Sequence, residues 1–146
     1  MKTLLYSLLL AAVFCTGAYA KTAEEATQEA IALEQQAIQG KDWYQAAKLY
    51  EQGAKIKGLP EQMRTYMLGR CIFCYLNQNH FAEAAPYAKE LAEKGDLAAM
   101  GIYGEMLYSG LGVRQNMEQD IAWLRKAARL GNRSAQQNLR SRGLYY

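Results

Sequence analysis

Proline is nearly absent from this 146-residue chain, which is interrupted only by Pro60 and Pro86. No Ser/Gly-rich linker appears either, so nothing divides the chain into two domains, and a single elongated core is expected. Histidine occurs once, as His80. A tetrahedral zinc site needs three or four ligands, and one imidazole beside Cys71 and Cys74 leaves that set incomplete. The chain has no strand-like alternation, no G-x-S-x-G, no H-E-x-x-H and no phosphate-binding loop. Gly110-Leu111-Gly112 lacks the third glycine of a dinucleotide fingerprint and follows a helical stretch, so it reads as a turn. No cofactor and no metal are expected. A large net charge of either sign is also lacking: the whole chain carries +3, too little for a nucleic-acid footprint without a clustered basic stripe.

What is present begins with a leader. Lys2, an apolar run from Leu4 to Phe14 and the small residues ending Ala18-Tyr19-Ala20 follow the order of a secretory signal, which predicts cleavage after Ala20. The apolar run is about half the roughly 20 residues a spanning helix needs, so no membrane insertion is expected once the leader is removed. Lipidation at Cys15 is disfavoured because Val13-Phe14 precede it where small residues are required. The expected product, residues 21–146, is a periplasmic or secreted protein. Without Lys2 it holds 16 basic residues against 14 acidic, a net of +2. That charge is polarised. Residues 22–53 carry two lysines against six carboxylates, a net of −4, and residues 111–146 carry seven basic residues against Glu118 and Asp120, a net of +5.

Ala, Leu, Gln, Glu and Lys dominate long stretches, and the apolar spacing is helical throughout. Ala26, Ala30, Leu33, Ala37 and Ile38 predict a helix over 22–39 that stops at Gly40. A second, over 43–57, carries the pattern Trp43, Ala46, Ala47, Tyr50, Gly53, Ala54, with Gly58 as its C-cap. Pro60 suits the first turn of a third helix, which places Leu68, Cys71, Ile72 and Tyr75 on one side and ends at Asn77–Asn79. Phe81, Ala84, Ala85, Ala88 and Leu91 repeat the second pattern 38 residues on. Because Pro86 is costly in a helix interior, the start of that helix is placed near Ala82 to Ala84. Helices over 97–109, 117–130 and 134–142 complete the chain.

The clearest repeat is Gly95, four residues before Ala99, which recurs as Gly131 before Ala135, with Gly104, Gly110, Gly112, Val113, Trp123, Ala127 and Ala128 between. This unit resembles a Sel-one-like repeat, a relative of the tetratricopeptide repeats. Tyr103 and Leu107 stand where that family has Leu and Tyr, and Asp120 stands where an Ala packs, which is expected to be tolerated at an edge. The resemblance implies an all-α, right-handed solenoid of about three antiparallel helix pairs, over 22–58, 59–94 and 95–131, with a cap over 132–146. It also implies a non-catalytic module that holds a protein or peptide in a concave groove. Exported members include virulence-associated factors and immunity proteins, so a secreted toxin or an envelope protein is the implied partner class.

With Cys71 and Tyr75 in the buried positions of that family, the groove residues are Tyr66, Gly69, Phe73, Leu76 and Asn77. The neighbouring pairs add Gln28, Ile31, Gln35 and Ile38, then Gly101, Glu105 and Tyr108. Cys71-Ile72-Phe73-Cys74 is the one conspicuous chemical motif, and several readings stay open: buried structural thiols, a disulfide across one helical turn, or a redox pair. A redox pair ordinarily sits at a helix N-terminus after a strand, and this one lies well inside a helix. The alternative to a binding module is therefore a thiol oxidoreductase or a cell-wall-active enzyme using Cys71 and Cys74. Another is a structural role in which the acidic head meets the basic tail of a second copy. His80 is expected to face solvent in a turn beside Phe81.

Overall fold

Short polar residues begin most of the helices. Thr22, Asp42, Asp96, Asn116 and Asn132 each place a side-chain oxygen on a backbone amide two or three residues further along. At Thr22 the arrangement is reciprocal, with the Glu25 carboxylate accepting from the Thr22 amide at 3.1 Å. The computed structural model describes residues 22–40 and 42–146, and the expected leader over 1–20, with Cys15, lies outside them. Within the described residues the regular structure is α1 (Ala23–Gln39), α2 (Trp43–Ala54), α3 (Glu61–Asn77), α4 (Phe81–Glu93), α5 (Leu97–Ser109), α6 (Met117–Arg129) and α7 (Arg133–Ser141). The fold is all-α. Each helix packs against those before and after it in sequence, and α1 also reaches α3.

The ends of four helices share one geometry. At the end of α4 the Gly95 amide donates to the Ala92 carbonyl and the Asp96 amide to the Leu91 carbonyl; at the end of α6, Gly131 donates to Ala128 and Asn132 to Ala127. These paired bonds are the Schellman closure, which requires a left-handed residue between them. Gly95 and Gly131 take it with φ of 99° and 90°. The same bonds close α3 around Asn79, the one described non-glycine residue with positive φ, at 59°, and α7 around Gly143. In three of these turns the last residue, His80, Asp96 or Asn132, is already the N-cap of the next helix. These three pairs of successive helices, α3–α4, α4–α5 and α6–α7, are thus joined with no spare residues.

Small side chains line the seams. Ala26, Ala30, Ala46, Ala47, Ala84, Ala88, Ala92, Ala99, Ala127 and Ala128 are buried together with Tyr50, Met67, Leu68, Tyr75, Leu91 and Met100. Leu68, Cys71, Ile72 and Tyr75 all face this core as the spacing requires, and Met67 and Cys74 join them. Tyr103 and Leu107 are both buried, and Trp123 meets Tyr103 edge-on at 6.0 Å between centroids. Gly112 holds the loop between α5 and α6 against the start of α4. A Cβ at that position would lie 2.3 Å from the Phe81 carbonyl carbon and oxygen, and φ is +71°.

Four local expectations are corrected. Helix α2 ends at Ala54, not Lys57, and its C-cap is Lys55 rather than Gly58; the chain leaves the helix early so that Ile56 and Leu59 can turn onto the core. Helix α4 begins at Phe81, which puts Pro86 in its interior. The turn closing α3 makes His80 the cap and so fixes the start. The carbonyl that lacks a donor because of Pro86 belongs to exposed Ala82, where water can serve. Asp120 is not at an edge: it is 1 % exposed, and its Oδ2 accepts from Arg142 Nη1 at 2.5 Å. Gly104 makes the room, since a Cβ there would approach Asp120 Oδ1 to 3.3 Å. His80 is half-buried rather than solvent-facing, its ring 4.7 Å from that of Tyr44 and its Nδ1 3.1 Å from Glu83 Oε1.

Two glycines with positive φ separate backbone strain from space. Gly112→Ala should lose about 3 kcal/mol of stability, because a left-handed alanine and a backbone collision add. Gly95→Ala, where a Cβ meets nothing within 4 Å, should lose only about 1–2 kcal/mol. Urea denaturation of both variants checks the order, and equal losses would show that the Phe81 contact is relieved by movement of the loop.

Candidate functional site

The residues expected to line a groove fall into two settings. On α1, Gln28, Gln35 and Ile38 are exposed and Ile31 is half-buried. On α3, Tyr66, Gly69, Phe73 and Asn77 are exposed and Leu76 is half-buried. The Tyr66 hydroxyl donates to the Glu34 carboxylate of α1, which ties the two helices into one surface and raises the Tyr66 pKa above its ordinary value. Asn77 is less available, because its Nδ2 donates to the Phe73 carbonyl at 2.7 Å. Open space surrounds Gly69, where a Cβ would meet nothing within 4 Å.

Two residues missing from the expected set complete this surface. Trp43 opens α2 and meets Phe73 edge-on at 5.7 Å, and Arg70 lays its guanidinium 5.6 Å from the Phe73 ring centroid and 5.5 Å from that of Tyr50. Ile38, Trp43, Tyr66 and Phe73 are 63, 44, 46 and 48 % exposed, large apolar groups held in water on three consecutive helices. Trp43 occupies the slot that the helix pattern treats as a wedge against the preceding helix, but as the first residue of α2 it sits at the rim of that contact. A sequence signal for Arg70 existed: Tyr66, Arg70 and Phe73 follow one another at four and three residues, a single helical stripe.

The α5 residues do not join this surface. Tyr108 lies under the Arg142 guanidinium, 4.4 Å from its ring centroid. Glu105 and Gly101 line a cleft of about 340 Å³ between α5, α6 and α7, together with Asp120, Leu124, Asn132 and Asn138.

Cys71 and Cys74 are both free and buried. Burial pushes the Cys71 thiol up to about 12, with the Glu51 carboxylate adding in the same direction; burial also raises Cys74. Both therefore stay protonated at neutral pH, without the thiolate that nucleophilic or redox chemistry requires. Beside them Glu51 is an anionic hub. Burial pushes its carboxyl up, but hydrogen bonds from Lys55, Tyr87, Tyr75 and Lys48 outweigh that and hold it down at about 2. The Tyr75 hydroxyl donates to Oε2 at 3.0 Å, and the Lys48 and Lys55 ammonium groups approach to 3.3 and 2.5 Å. Among the described residues no group of three or more His, Cys, Asp or Glu is arranged to hold a metal ion.

Both clusters are testable. In a Cys15→Ser protein, Cys71 and Cys74 should be silent to an aromatic disulfide reagent in the native state and should both react in denaturant. Rapid native labelling would show the thiols to be accessible. Because the folded-state pKa of Glu51 lies below the ordinary 4.5, its ionised form stabilises the fold above that pH, and the contribution fades as pH falls from 4.5 toward about 2. The urea midpoint should drop across that window and drop less in Glu51→Gln; parallel curves would remove Glu51 as the hub.

No family model matches this chain, and no curated protein or solved structure matches it either.

Proposed function

We propose that this protein is an exported, non-catalytic interaction module that holds a protein or peptide partner on the surface of α1, α2 and α3. The observation that carries the reading is the exposed set Ile38, Trp43, Tyr66 and Phe73, with Arg70 among them. Trp, Tyr and Arg are the residues that concentrate binding energy at interfaces, because each offers a large rigid area with a polar tip. Burial and protonation of Cys71 and Cys74 support a binding role over thiol chemistry. The leader pattern over 1–20 supports export to the periplasm. No helix among the described residues is long and apolar enough to cross a membrane.

A secreted toxin or an envelope protein is the partner class that the Sel-one-like resemblance brings. The carboxylates concentrated over 22–53 favour a partner with a basic rim, since opposite charge steers encounter. The test is in-cell cross-linking followed by purification from the envelope fraction. A defined partner should be recovered, and Trp43→Ala or Phe73→Ala should weaken its binding by about 2 kcal/mol or more, roughly thirtyfold, with the melting temperature little changed. Replacing Cys71 and Cys74 by Ala should leave binding in place in any variant that folds. Recovery of the protein alone, or full binding by the Trp43→Ala/Phe73→Ala double variant, would overturn the proposal.

A further inference from the structure

The first and last helices of the row carry opposite charge. Residues 22–40 hold four carboxylates, Glu24, Glu25, Glu29 and Glu34, and no basic residue, whereas residues 122–146 hold six basic residues and no Asp or Glu. Of those six, only Arg142 is in an ion pair among the described residues, with Asp120. We infer that copies of this chain join head to tail, the basic outer face of α7 in one copy seating on the acidic outer face of α1 in the next. The packing order runs from α1 on α2 to α7 on α6, which sets the two charged helices at opposite ends of the row. One copy therefore does not neutralise itself, and a second copy supplies what each end lacks.

Both end helices have a regular outer stripe. On α1 the buried Ala26, Ala30 and Ala37 face inward, and the opposite stripe, Glu24, Gln28, Ala32, Gln35 and Gln39, is exposed along its whole length. On α7 Ala135 and Leu139 face inward, and Arg133, Gln137 and Arg140 are exposed on the other side. Among the described residues no helix lies over either stripe. Glutamine amides occur on both, and each can donate to and accept from another across a seam. The basic end also carries apolar area, with Tyr145 and Leu130 88 and 55 % exposed. The tail is fixed there, since Arg125 Nε of α6 donates to the Tyr145 carbonyl at 3.0 Å and Arg140 Nη2 of α7 donates to the Tyr146 hydroxyl at 3.0 Å. Exposed ion pairs add little strength each. Their weight here is in orientation: two acidic ends repel, two basic ends repel, and only the head-to-tail meeting is favourable. Such a contact is heterologous, so it propagates as an open chain or closes as a ring rather than stopping at a symmetric dimer. A basic end alone would suit any polyanion, but a second copy brings an acidic face of one helix's length at equal concentration.

The test is analytical sedimentation of the protein as purified after export. At about 20 mM salt its mean mass should rise with concentration beyond that of one chain, and at about 300 mM salt the association should weaken about tenfold or more. Glu24→Lys/Gln28→Lys and Arg133→Glu/Gln137→Glu alter exposed positions only, and leave the Thr22–Glu25 capping box and the Arg140–Tyr146 contact in place. Each double variant alone should associate about tenfold more weakly at low salt. Mixed in equal amounts the two should pair at native strength, because one keeps its basic end and the other its acidic end, and that recovery also shows both to be folded. A monomer at every concentration in low salt, association indifferent to salt or to either double variant, or a mixture that stays monomeric would overturn the inference. So would capture on phosphatidylglycerol vesicles without self-association, which would give the basic end to a membrane surface. Neither end uses Trp43 or Phe73, so Trp43→Ala/Phe73→Ala should self-associate as the native chain does, and failure of either proposal leaves the other standing.

Discussion

A left-handed residue one place beyond the helix C-cap sets three of the six joins between successive helices, and the rest of the structure is arranged around those joins. At Asn79, Gly95 and Gly131 the backbone reverses within a single Schellman closure, and the next residue is already the cap of the following helix. Such a turn has no slack. Once it forms, the rotation of the incoming helix about its own axis is set, and so is the stripe of side chains it turns toward its neighbour. Pro86 shows how strongly this acts: an interior proline costs about 3 kcal/mol in an isolated helix, yet α4 still starts at Phe81 because His80 is bound into the end of α3.

Fixed rotations make the small residues meaningful. With the helices held at set angles, the seams must accept whatever faces them, and each seam glycine or alanine marks a place where a neighbour enters. Met67 lies against Gly53, with its sulfur 3.4 Å from where a Cβ would stand, Asp120 against Gly104, and the Phe81 backbone against Gly112. The Asp120 case shows the energetic logic. A carboxylate that is 1 % exposed is costly to desolvate, and the Arg142 ion pair returns much of that cost only because geometry and partner are both in place. Residues 22 apart in sequence therefore depend on a glycine in a third segment.

This explains what could be read from the sequence and what could not. The spans of α5, α6 and α7 follow from the 36-residue recurrence of Gly95 and Gly131, because a positive-φ glycine writes its position directly into the chain. The buried stripe of α3 was equally legible from 3.6-residue periodicity. The start of α4 was not, because local propensity around Pro86 argued one way and a turn built from the preceding helix argued the other. Asp120 looked like an edge residue because its partner Arg142 is remote in sequence, and His80 looked solvent-facing because Tyr44, the ring it packs against, is also far away. Of the surface residues, those on α1 and α3 were legible as a helical face. Trp43 was not, since the pattern that places it as a wedge does not register that the first residue of a helix lies at the rim of its contact.

The surface aromatics are held in place rather than free, and that bears on how they would bind. Phe73 is flanked by Trp43 edge-on and by the Arg70 guanidinium, which reaches on to the Tyr50 hydroxyl through Nε at 3.4 Å. Tyr66 is anchored through its hydroxyl to Glu34. A side chain already restricted to one rotamer gives up little conformational freedom when a partner covers it, so more of its buried area appears as affinity. Helices α1, α2 and α3 are held in the register that brings Trp43 to Phe73 and Glu34 to Tyr66 by their own packing, in which α2 meets both neighbours and α1 also reaches α3. The order of this surface therefore draws on contacts among its own side chains, and removing the Glu34 carboxylate would free Tyr66 without deleting any of the exposed aromatics.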